Sequence, residues 1–359
     1  MINPDGFSRG HVFLNLFSML ADLVEVNDPM TRLGQLPFTS LVTFIMNCQL
    51  APSAFCCGHG VMCHLDRPDV DVTGTPCQDF SPVGNHRGPF GRQWPVFLAY
   101  CRVMIGLEVP ILIHENVPQF WLALLEHFFG LSYFIFSLVM DCAEVGFSMI
   151  SRRRRYTIMY HKGHVRVMHN PALVYEHLKL AMRSFSLSLL LCDCWLADME
   201  EIMEETSSLC QLRGVPMPLA MRDMTTLLTH HERQRLEAYM AMWQDRFGHC
   251  ATMDQAAVFN LADNPDNGFV TWSGSSGRIP GLRTNGGKLW VPFLRRWLTT
   301  KEQLAAMGVP VYPSLAAAAQ VPLVAVSPGP EAKLMLGNMM HIASVGTALL
   351  VAMACARPL

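Results

Sequence analysis

Residues 70–81 read VDVTGTPCQDFS, and this stretch decides the fold class. We predict a short strand from Val70 to Thr73. Gly74 and Pro76 then favour a turn, so that Cys77 follows the strand directly. In an open parallel sheet, ligands bind at the carboxyl ends of the strands, so the pattern places a thiol at the functional edge of the sheet.

The first half of the chain alternates short apolar strands with helices, which is typical of a mostly parallel sheet covered on both faces. We therefore predict a doubly wound α/β fold. Besides Val70 to Thr73, the expected strands are Val12 to Phe17, Leu41 to Met46, Pro110 to His114, Tyr133 to Leu138 and Tyr156 to Tyr160. The expected helices are Trp94 to Met104 and Phe120 to Phe129, the second of which ends at Gly130.

The second half changes to longer helical stretches, an acidic run and a Gly-, Ser- and Asn-rich segment at residues 264–287. This change predicts a second, mostly helical domain. Thr299 and Glu302 have capping-box spacing, and a helix from Leu336 to Ala356 is expected to close the chain. We place the first domain at residues 1–165 plus 325–359 and the second at residues 166–324.

The composition limits the possible partners. A net charge of −2 over 359 residues excludes a broadly basic surface that coats nucleic acid. The 12 cysteines form no secretory framework, which favours a reduced, intracellular setting. The apolar stretches at residues 131–140 and 342–356 are shorter than the roughly 20 residues of a membrane span, so we expect them in the core and expect no membrane partner.

One cluster consists of zinc-type ligands: Cys56, Cys57, His59, Cys63 and His64. It lacks a second pair of ligands at a recognised spacing. The sequence therefore disfavours a structural zinc, and no metal is expected.

The residues at the end of a second predicted strand support Cys77 as a candidate nucleophile. A cysteine taken alone is more often a buried or incidental residue than a nucleophile. The predicted strand at 110–114, however, leads into Glu115, Asn116 and Val117 at its own carboxyl end. A nucleophile and a group that handles protons can therefore face one cleft.

An arginine run, Arg152 to Arg155, lies directly before the strand predicted at 156–160. Such a run is usually a solvated face or a phosphate contact. Because it precedes a buried strand, at least one arginine is expected to point to the edge that holds Cys77 and Glu115.

Taken together, Gly-x-Pro-Cys-Gln-x-Phe-Ser, then Glu-Asn-Val, then Arg-x-Arg before a strand, resemble the core motifs of the cytosine carbon-5 DNA methyltransferases in order and spacing. Later segments, Leu298 to Glu302, Met307 to Pro310 and Gly337-Asn338, extend the resemblance. It implies a Rossmann-like methyltransferase catalytic domain that uses S-adenosylmethionine. The second domain would then be the target-recognition domain.

The resemblance also implies roles for individual residues. Cys77 would attack carbon 6 of a cytosine flipped out of the duplex, which activates carbon 5 for methylation. Glu115 would hold the ring at nitrogen 3, and Arg155 or Arg153 would hold the base oxygen. The residues expected to contact DNA are Gln78, Ser81, Arg278, Arg283 and Lys288.

On the cofactor side, the match to the family is poorer. Met19 and Ala21 stand where the family has glycines that let the backbone approach the cofactor. The acid expected to bind the ribose is replaced by an amide. The residues that would bind S-adenosylmethionine are Phe17, Ser18, Leu20, Gln49, Pro76 and Asn338.

Three functions therefore stay open. The first is an active DNA methyltransferase, which would be nuclear in a eukaryote. The second is a catalytically impaired methyltransferase-like protein that binds nucleic acid or a partner. The third is a transfer RNA cytosine methyltransferase, which the junction Arg155-Tyr156 favours only faintly.

Overall fold

The structure, a computed structural model, describes residues 38–56, 59–81, 84, 87–91, 93–147, 149–184, 195–219, 223–268, 270–283, 288–326 and 330–359. The strand expected at Val12 to Phe17 lies outside these residues, as do Ser18 and Leu20. Within them the chain has a mixed α/β fold.

In chain order, the first half contains α1 (Phe38–Asn47), β1 (Ser53–Cys56), β2 (Val61–His64), β3 (Val70–Gly74), α2 (Trp94–Leu107), β4 (Ile111–Asn116), α3 (Leu122–Phe129), β5 (Tyr133–Met140), β6 (Arg154–His161), β7 (Val165–Val167) and α4 (Pro171–Ser184). The second half contains α5 (Met199–Arg213), α6 (His230–Phe247), β8 (Phe259–Asn260), β9 (Leu289–Val291), β10 (Arg296–Trp297), α7 (Thr300–Ala306), α8 (Pro313–Ala319), α9 (Pro330–Asn338), α10 (Ile342–Ala354) and β11 (Ala356–Pro358). Short 3₁₀ turns lie between several of these elements.

The chain divides into two compact units. The first comprises Met1–Met140, Arg153–His177 and Ala348–Leu359, and the second comprises Asp141–Arg152 and Leu178–Thr347. The second unit thus includes residues 141–152 and 325–347, which the sequence assigned to the first domain. The assignment of catalysis to one domain and target recognition to the other stays a prediction.

A sheet of β3, β4, β6 and β5, in that order, is the framework of the first unit. β3 and β4 are parallel, whereas β6 is antiparallel to both of its neighbours. All six residues of β4 are buried, because β4 lies between two strands and is packed on both faces. The core beside the sheet includes Leu98 of α2, Leu112 of β4 and Phe129 of α3.

Most of the expected elements of the first unit are confirmed. The strands at 70–73, 110–114, 133–138 and 156–160 and the helices at 94–104 and 120–129 all form, with ends shifted by a few residues. The expectation of a mostly parallel sheet is wrong for the four described strands, because only one of their three pairings is parallel.

Two other expectations are wrong. Leu41 to Met46 is part of helix α1 and not a strand. Its buried side chains, Leu41 and Ile45, are four residues apart, which is the period of a helix. The single helix expected at 336–356 is two helices, α9 and α10, separated at residues 339–341.

Residues Met335–Ala354 are long and apolar enough to cross a membrane by length and composition alone. The break at residues 339–341 shortens the continuous helix to the 13 residues of α10. Such a helix is about 20 Å long, which is less than the roughly 30 Å of a bilayer's hydrocarbon core.

The second unit contains a small antiparallel sheet, β10-β9-β8, together with helices α5 to α9. The capping box predicted at Thr299 is present: its side chain accepts from the Glu302 amide, and Glu302 accepts from the Thr299 amide. The same carboxylate forms a two-pronged ion pair with Arg296, with N–O distances of 2.7 and 2.8 Å. Both side chains of the pair are almost fully buried.

This buried pair gives a stability prediction for the second unit. Glu302→Gln keeps a capping-box side chain but leaves the Arg296 charge buried without its partner, which we expect to lower the free energy of unfolding by about 3 kcal/mol. Urea denaturation measures the change. Glu204→Gln, at an exposed position of α5, is the matched control, and equal losses in the two variants would contradict the prediction.

Candidate active site

Cys77 lies just beyond the end of β3, as the sequence predicted. Its backbone carbonyl accepts hydrogen bonds from the amides of Phe80 and Ser81, at 3.0 and 2.8 Å, so the chain turns sharply after the cysteine. Cys77 is partly buried and packs against the hydrophobic core of the first unit. The thiol is therefore held on a folded turn at the carboxyl end of a strand.

Two side chains of the neighbouring strand β4 form hydrogen bonds with the start of this turn. The Thr75 hydroxyl is 2.7 Å from Nε2 of His114, and the Asn116 amide donates to both the carbonyl and the hydroxyl of Thr75, each at 3.1 Å. All three residues are buried. Because Thr75 is two residues before Cys77, these bonds fix the start of the cysteine turn against the Glu-Asn-Val segment.

Glu115 has an arginine partner. It is aligned with Gly74 of β3 on one side and with Tyr156 of β6 on the other. Nε of Arg154 lies 3.1 Å from Oε1 of Glu115, and both side chains are largely buried. Arg154 therefore fixes the carboxylate and supplies positive charge beside it.

The sequence expected Arg155 or Arg153 in this position. Instead, Arg155 donates to the Pro118 carbonyl at 2.6 and 3.2 Å and to the Ser137 hydroxyl at 2.7 Å. Arg153 is exposed. Successive strand residues point to opposite faces, so Arg154 shares the face of Tyr156, which is aligned with Glu115, and Arg155 does not.

Arg152, the first residue of the run, has a structural role in the second unit. It is buried and donates to the carbonyls of Leu282 and Met339, the second at 2.7 Å. The four arginines thus have four different environments, and it is Arg154 that forms the ion pair with Glu115.

The loop after Cys77 is held by Asp79. Its buried carboxylate accepts from the Gln93 amide at 3.0 Å. A side-chain carbon at Gly91 would lie 1.8 Å from that carboxylate, so only glycine fits there. Gln78, expected to contact DNA, is exposed and hydrogen-bonds Gln93, whereas Ser81 is half-buried.

The three basic residues expected to contact DNA from the second unit are each bound to a carboxylate. Arg278 pairs with Asp141 at 3.3 Å, Arg283 with Asp263 at 3.0 Å, and Lys288 with Glu232 at 2.9 Å. Glu232 also binds Arg213. Their positive charge is therefore largely neutralised within the unit.

The residues expected to bind S-adenosylmethionine fall into two groups. Phe17, Ser18 and Leu20 lie outside the described residues. Of the others, Pro76 precedes Cys77, Asn338 is exposed at the end of α9, and Gln49 is exposed just after α1. The prediction that Gln49 binds the ribose assumed that a strand ends just before it. The structure has helix α1 there instead, so this reason for the assignment no longer holds.

Three residues of the site were not singled out from the sequence: Arg154, Thr75 and His114. The sequence alone contains no signal that distinguishes Arg154 from its neighbours, because the choice depends on the register between β4 and β6. The signal for His114 was a titratable residue directly before Glu115 in a run that is otherwise apolar. Burial lowers the pKa of His114 from 6.5 to about 3, so the ring is neutral beside the aromatic rings of Phe97 and Phe120.

Comparisons with known proteins give one family match. Residues 63–213 match the family described as C-5 cytosine-specific DNA methylase. A search of curated proteins finds no match. Among solved structures, the chain is similar to the Entamoeba histolytica methyltransferase EhMeth, with 8% identity, a TM-score of 0.41 and coverage of 94% of this chain and 86% of that one.

Two further structures show a comparable, remote likeness. S. pombe Dnmt2 methyltransferase is 13% identical with a TM-score of 0.37, and covers 89% of this chain and 80% of its own. A mutant of Spodoptera frugiperda DNMT2 is 13% identical with a TM-score of 0.37, and covers 89% of this chain and 83% of its own. Likenesses this remote carry no argument about activity.

The buried histidine predicts how stability depends on pH. Since the folded-state pKa of His114 is about 3 and its ordinary value is 6.5, the unfolded chain binds the proton first as pH falls. Stability is therefore fully present above pH 6.5 and decreases towards pH 3, by roughly 1.4 kcal/mol per pH unit within that window. His341, whose pKa burial lowers to about 4, adds to the loss in the same direction.

Melting temperatures measured between about pH 7 and 4 check this dependence. We expect His114→Asn to flatten the profile, and His127→Asn, at an exposed position, to leave its slope unchanged. A wild-type melting temperature that stays constant over this range would contradict the prediction.

Proposed function

We propose, from the match of residues 63–213 to the C-5 cytosine-specific DNA methylase family, whose members use S-adenosylmethionine, that the chain is a DNA (cytosine-5) methyltransferase. The proposed nucleophile is Cys77. The proposed reaction transfers a methyl group from S-adenosylmethionine to carbon 5 of a cytosine taken out of the duplex.

One observation carries this proposal: a carboxylate paired with an arginine stands beside the strand end that bears the thiol. Glu115 is aligned with Gly74, three residues before Cys77, and pairs with Arg154 at 3.1 Å. The bonds from His114 and Asn116 to Thr75 hold the two segments in this register. An incidental cysteine has no need of such an arrangement.

The chemistry follows from these groups. The Cys77 thiolate adds to carbon 6 of the cytosine, and a sulfur–carbon bond forms while the electron pair of the 5,6 double bond moves towards nitrogen 3. The Glu115 carboxyl group donates a proton to nitrogen 3 and so balances the added charge. Arg154 orients that carboxyl group. Carbon 5 is then the nucleophilic end of an enamine.

Two of the three described residues that were expected to bind S-adenosylmethionine do not form a site for it. Gln49 and Asn338 are both exposed, and Gln49 follows a helix where a ribose-binding residue needs a strand end. The chemistry that the described residues support therefore reaches as far as the covalent adduct at Cys77.

This misfit favours a second candidate, a methyltransferase-like protein that binds nucleic acid and no longer transfers a methyl group. Saturating S-adenosylmethionine discriminates between the two. An active enzyme has a melting temperature that rises with the cofactor concentration and incorporates labelled methyl groups into DNA. Neither effect is expected of the impaired protein.

The nucleic acid class is tested by competition. The three basic residues of the second unit are already paired with carboxylates, so we do not expect a broad electrostatic preference to select the substrate. Labelled methyl transfer to cytosine-containing duplex DNA, in competition with transfer RNA, measures the choice. The proposal requires DNA to be methylated. Methylation of transfer RNA alone would contradict it and would indicate a transfer RNA cytosine methyltransferase instead.

The nucleophile is tested with DNA that contains 5-fluorocytosine. Fluorine replaces the hydrogen on carbon 5, so after methylation no proton can leave and the cysteine stays attached. We expect a denaturation-resistant protein–DNA adduct in the presence of S-adenosylmethionine, and its complete loss in Cys77→Ser. Cys250→Ser is the matched control, because the Thr252 hydroxyl lowers the pKa of the Cys250 thiol and makes it a rival nucleophile. An adduct that survives Cys77→Ser and disappears in Cys250→Ser would contradict the assignment.

The role of Arg154 gives a further prediction. Arg154→Ala removes the cation beside Glu115, and we expect adduct formation to slow by about 100-fold. Time courses of the adduct band measure the rate, and melting temperatures verify that each variant is folded. Arg153→Ala, at the exposed neighbouring position, should keep the wild-type rate. A wild-type rate of adduct formation in Arg154→Ala would contradict a role for the Arg154–Glu115 pair in the reaction.

A further inference from the structure

The hairpin of β1 and β2 brings together three metal-type ligands that do not belong to the proposed active site. They are the thiols of Cys56 and Cys63 and the imidazole of His59. One ligand atom from each of the three lies within 4.8 Å of the other two. Nδ1 of His59 is 3.2 Å from Sγ of Cys63.

The local fold explains this convergence. Cys56 is aligned with Val61, and Cys63 with Ala54, so alternation along the antiparallel strands puts both cysteines on the same face of the hairpin. The turn between the strands carries His59. His59 directly precedes Gly60, which adopts φ of 66° and whose amide donates to the Cys56 carbonyl at 2.7 Å.

We propose that this hairpin binds one zinc ion through Cys56, His59 and Cys63, with water in the fourth position. Zinc takes thiolate and imidazole ligands, and its bond lengths place tetrahedral ligand atoms about 3.6–3.8 Å apart. The His59–Cys63 separation of 3.2 Å and the upper limit of 4.8 Å on the other two lie on either side of this range, so side-chain movements of about 1 Å or less complete the site. Two thiolates and one zinc ion give a neutral centre.

The need for a ligand follows from how little the hairpin buries. Ala54 and Cys56 are its buried side chains, whereas Phe55, Val61 and Met62 are 47%, 56% and 60% exposed. An isolated two-stranded hairpin is marginally stable in water. A metal ion bound to both strands supplies the stability that packing does not. Residues 65–69 connect the hairpin to β3.

The sequence disfavoured this site because it lacks a second pair of ligands. The structure supplies a different rationale: Cys-x-x-His-x-x-x-Cys closes on itself across one hairpin turn and needs no distant partner. Ligand spacing along the chain alone does not reveal this, because it depends on the register of the two strands.

Metal analysis of the full-length protein tests the proposal. The protein is reduced, incubated with zinc and passed through gel filtration, and its metal content is then measured by inductively coupled plasma mass spectrometry. We expect about one zinc per chain, and in Cys63→Ser and His59→Asn an affinity at least about 100-fold lower. His59 is exposed, so its substitution spares the core. The matched controls, Cys48→Ser and Cys250→Ser, should retain the ion.

Cobalt provides an independent readout. A cobalt-loaded hairpin should show the visible bands of a tetrahedral ion and a near-ultraviolet thiolate charge-transfer band, which Cys63→Ser weakens. Zinc that is absent after gel filtration, or retained equally by Cys63→Ser and His59→Asn, would overturn the proposal. A Cys56–Cys63 disulfide in protein purified without reductant, with no zinc bound after its reduction, would overturn it as well.

Discussion

Thr75 connects the two strand ends on which the proposed chemistry depends. Its hydroxyl lies 2.7 Å from the buried ring of His114, and the Asn116 amide binds both its hydroxyl and its carbonyl. Because these three side chains are buried away from water, removing one of them leaves the polar atoms of its partners without a hydrogen bond in the core. These hydrogen bonds therefore fix the position of the start of the Cys77 turn relative to Glu115. Burial lowers the pKa of His114 to about 3, so the ring in this group is neutral near pH 7.

Part of this arrangement was predictable from the sequence. Short apolar runs with turn residues behind them identified β3, β4, β5 and β6, and the order of the motifs identified Cys77 and Glu115. Short apolar runs are ambiguous between strand and helix, which is why Leu41 to Met46 was assigned incorrectly. The arginine partner required the register between β4 and β6. A shift of one residue exchanges the faces of a strand, so the motif predicted Arg155 or Arg153 where the structure places Arg154.

Charge pairing in the second unit shows a similar limit. The sequence predicted that Arg278, Arg283 and Lys288 contact DNA, but each of them binds a carboxylate from another part of the chain. Arg278 pairs with Asp141 across 137 positions, and Lys288 pairs with Glu232. A cation whose charge is already balanced by a neighbouring carboxylate attracts a phosphate less than an unpaired cation does. Nucleic acid binding, if driven by charge alone, would need cations other than these three.

The proposed mechanism requires that Cys77, and no other thiol, adds to the cytosine ring. The most direct test is to digest the wild-type adduct formed with 5-fluorocytosine DNA and to locate the added nucleotide by tandem mass spectrometry. We predict that the added mass lies on Cys77, in the peptide that contains residues 74–81. Attachment to any other cysteine, or to none, would contradict it.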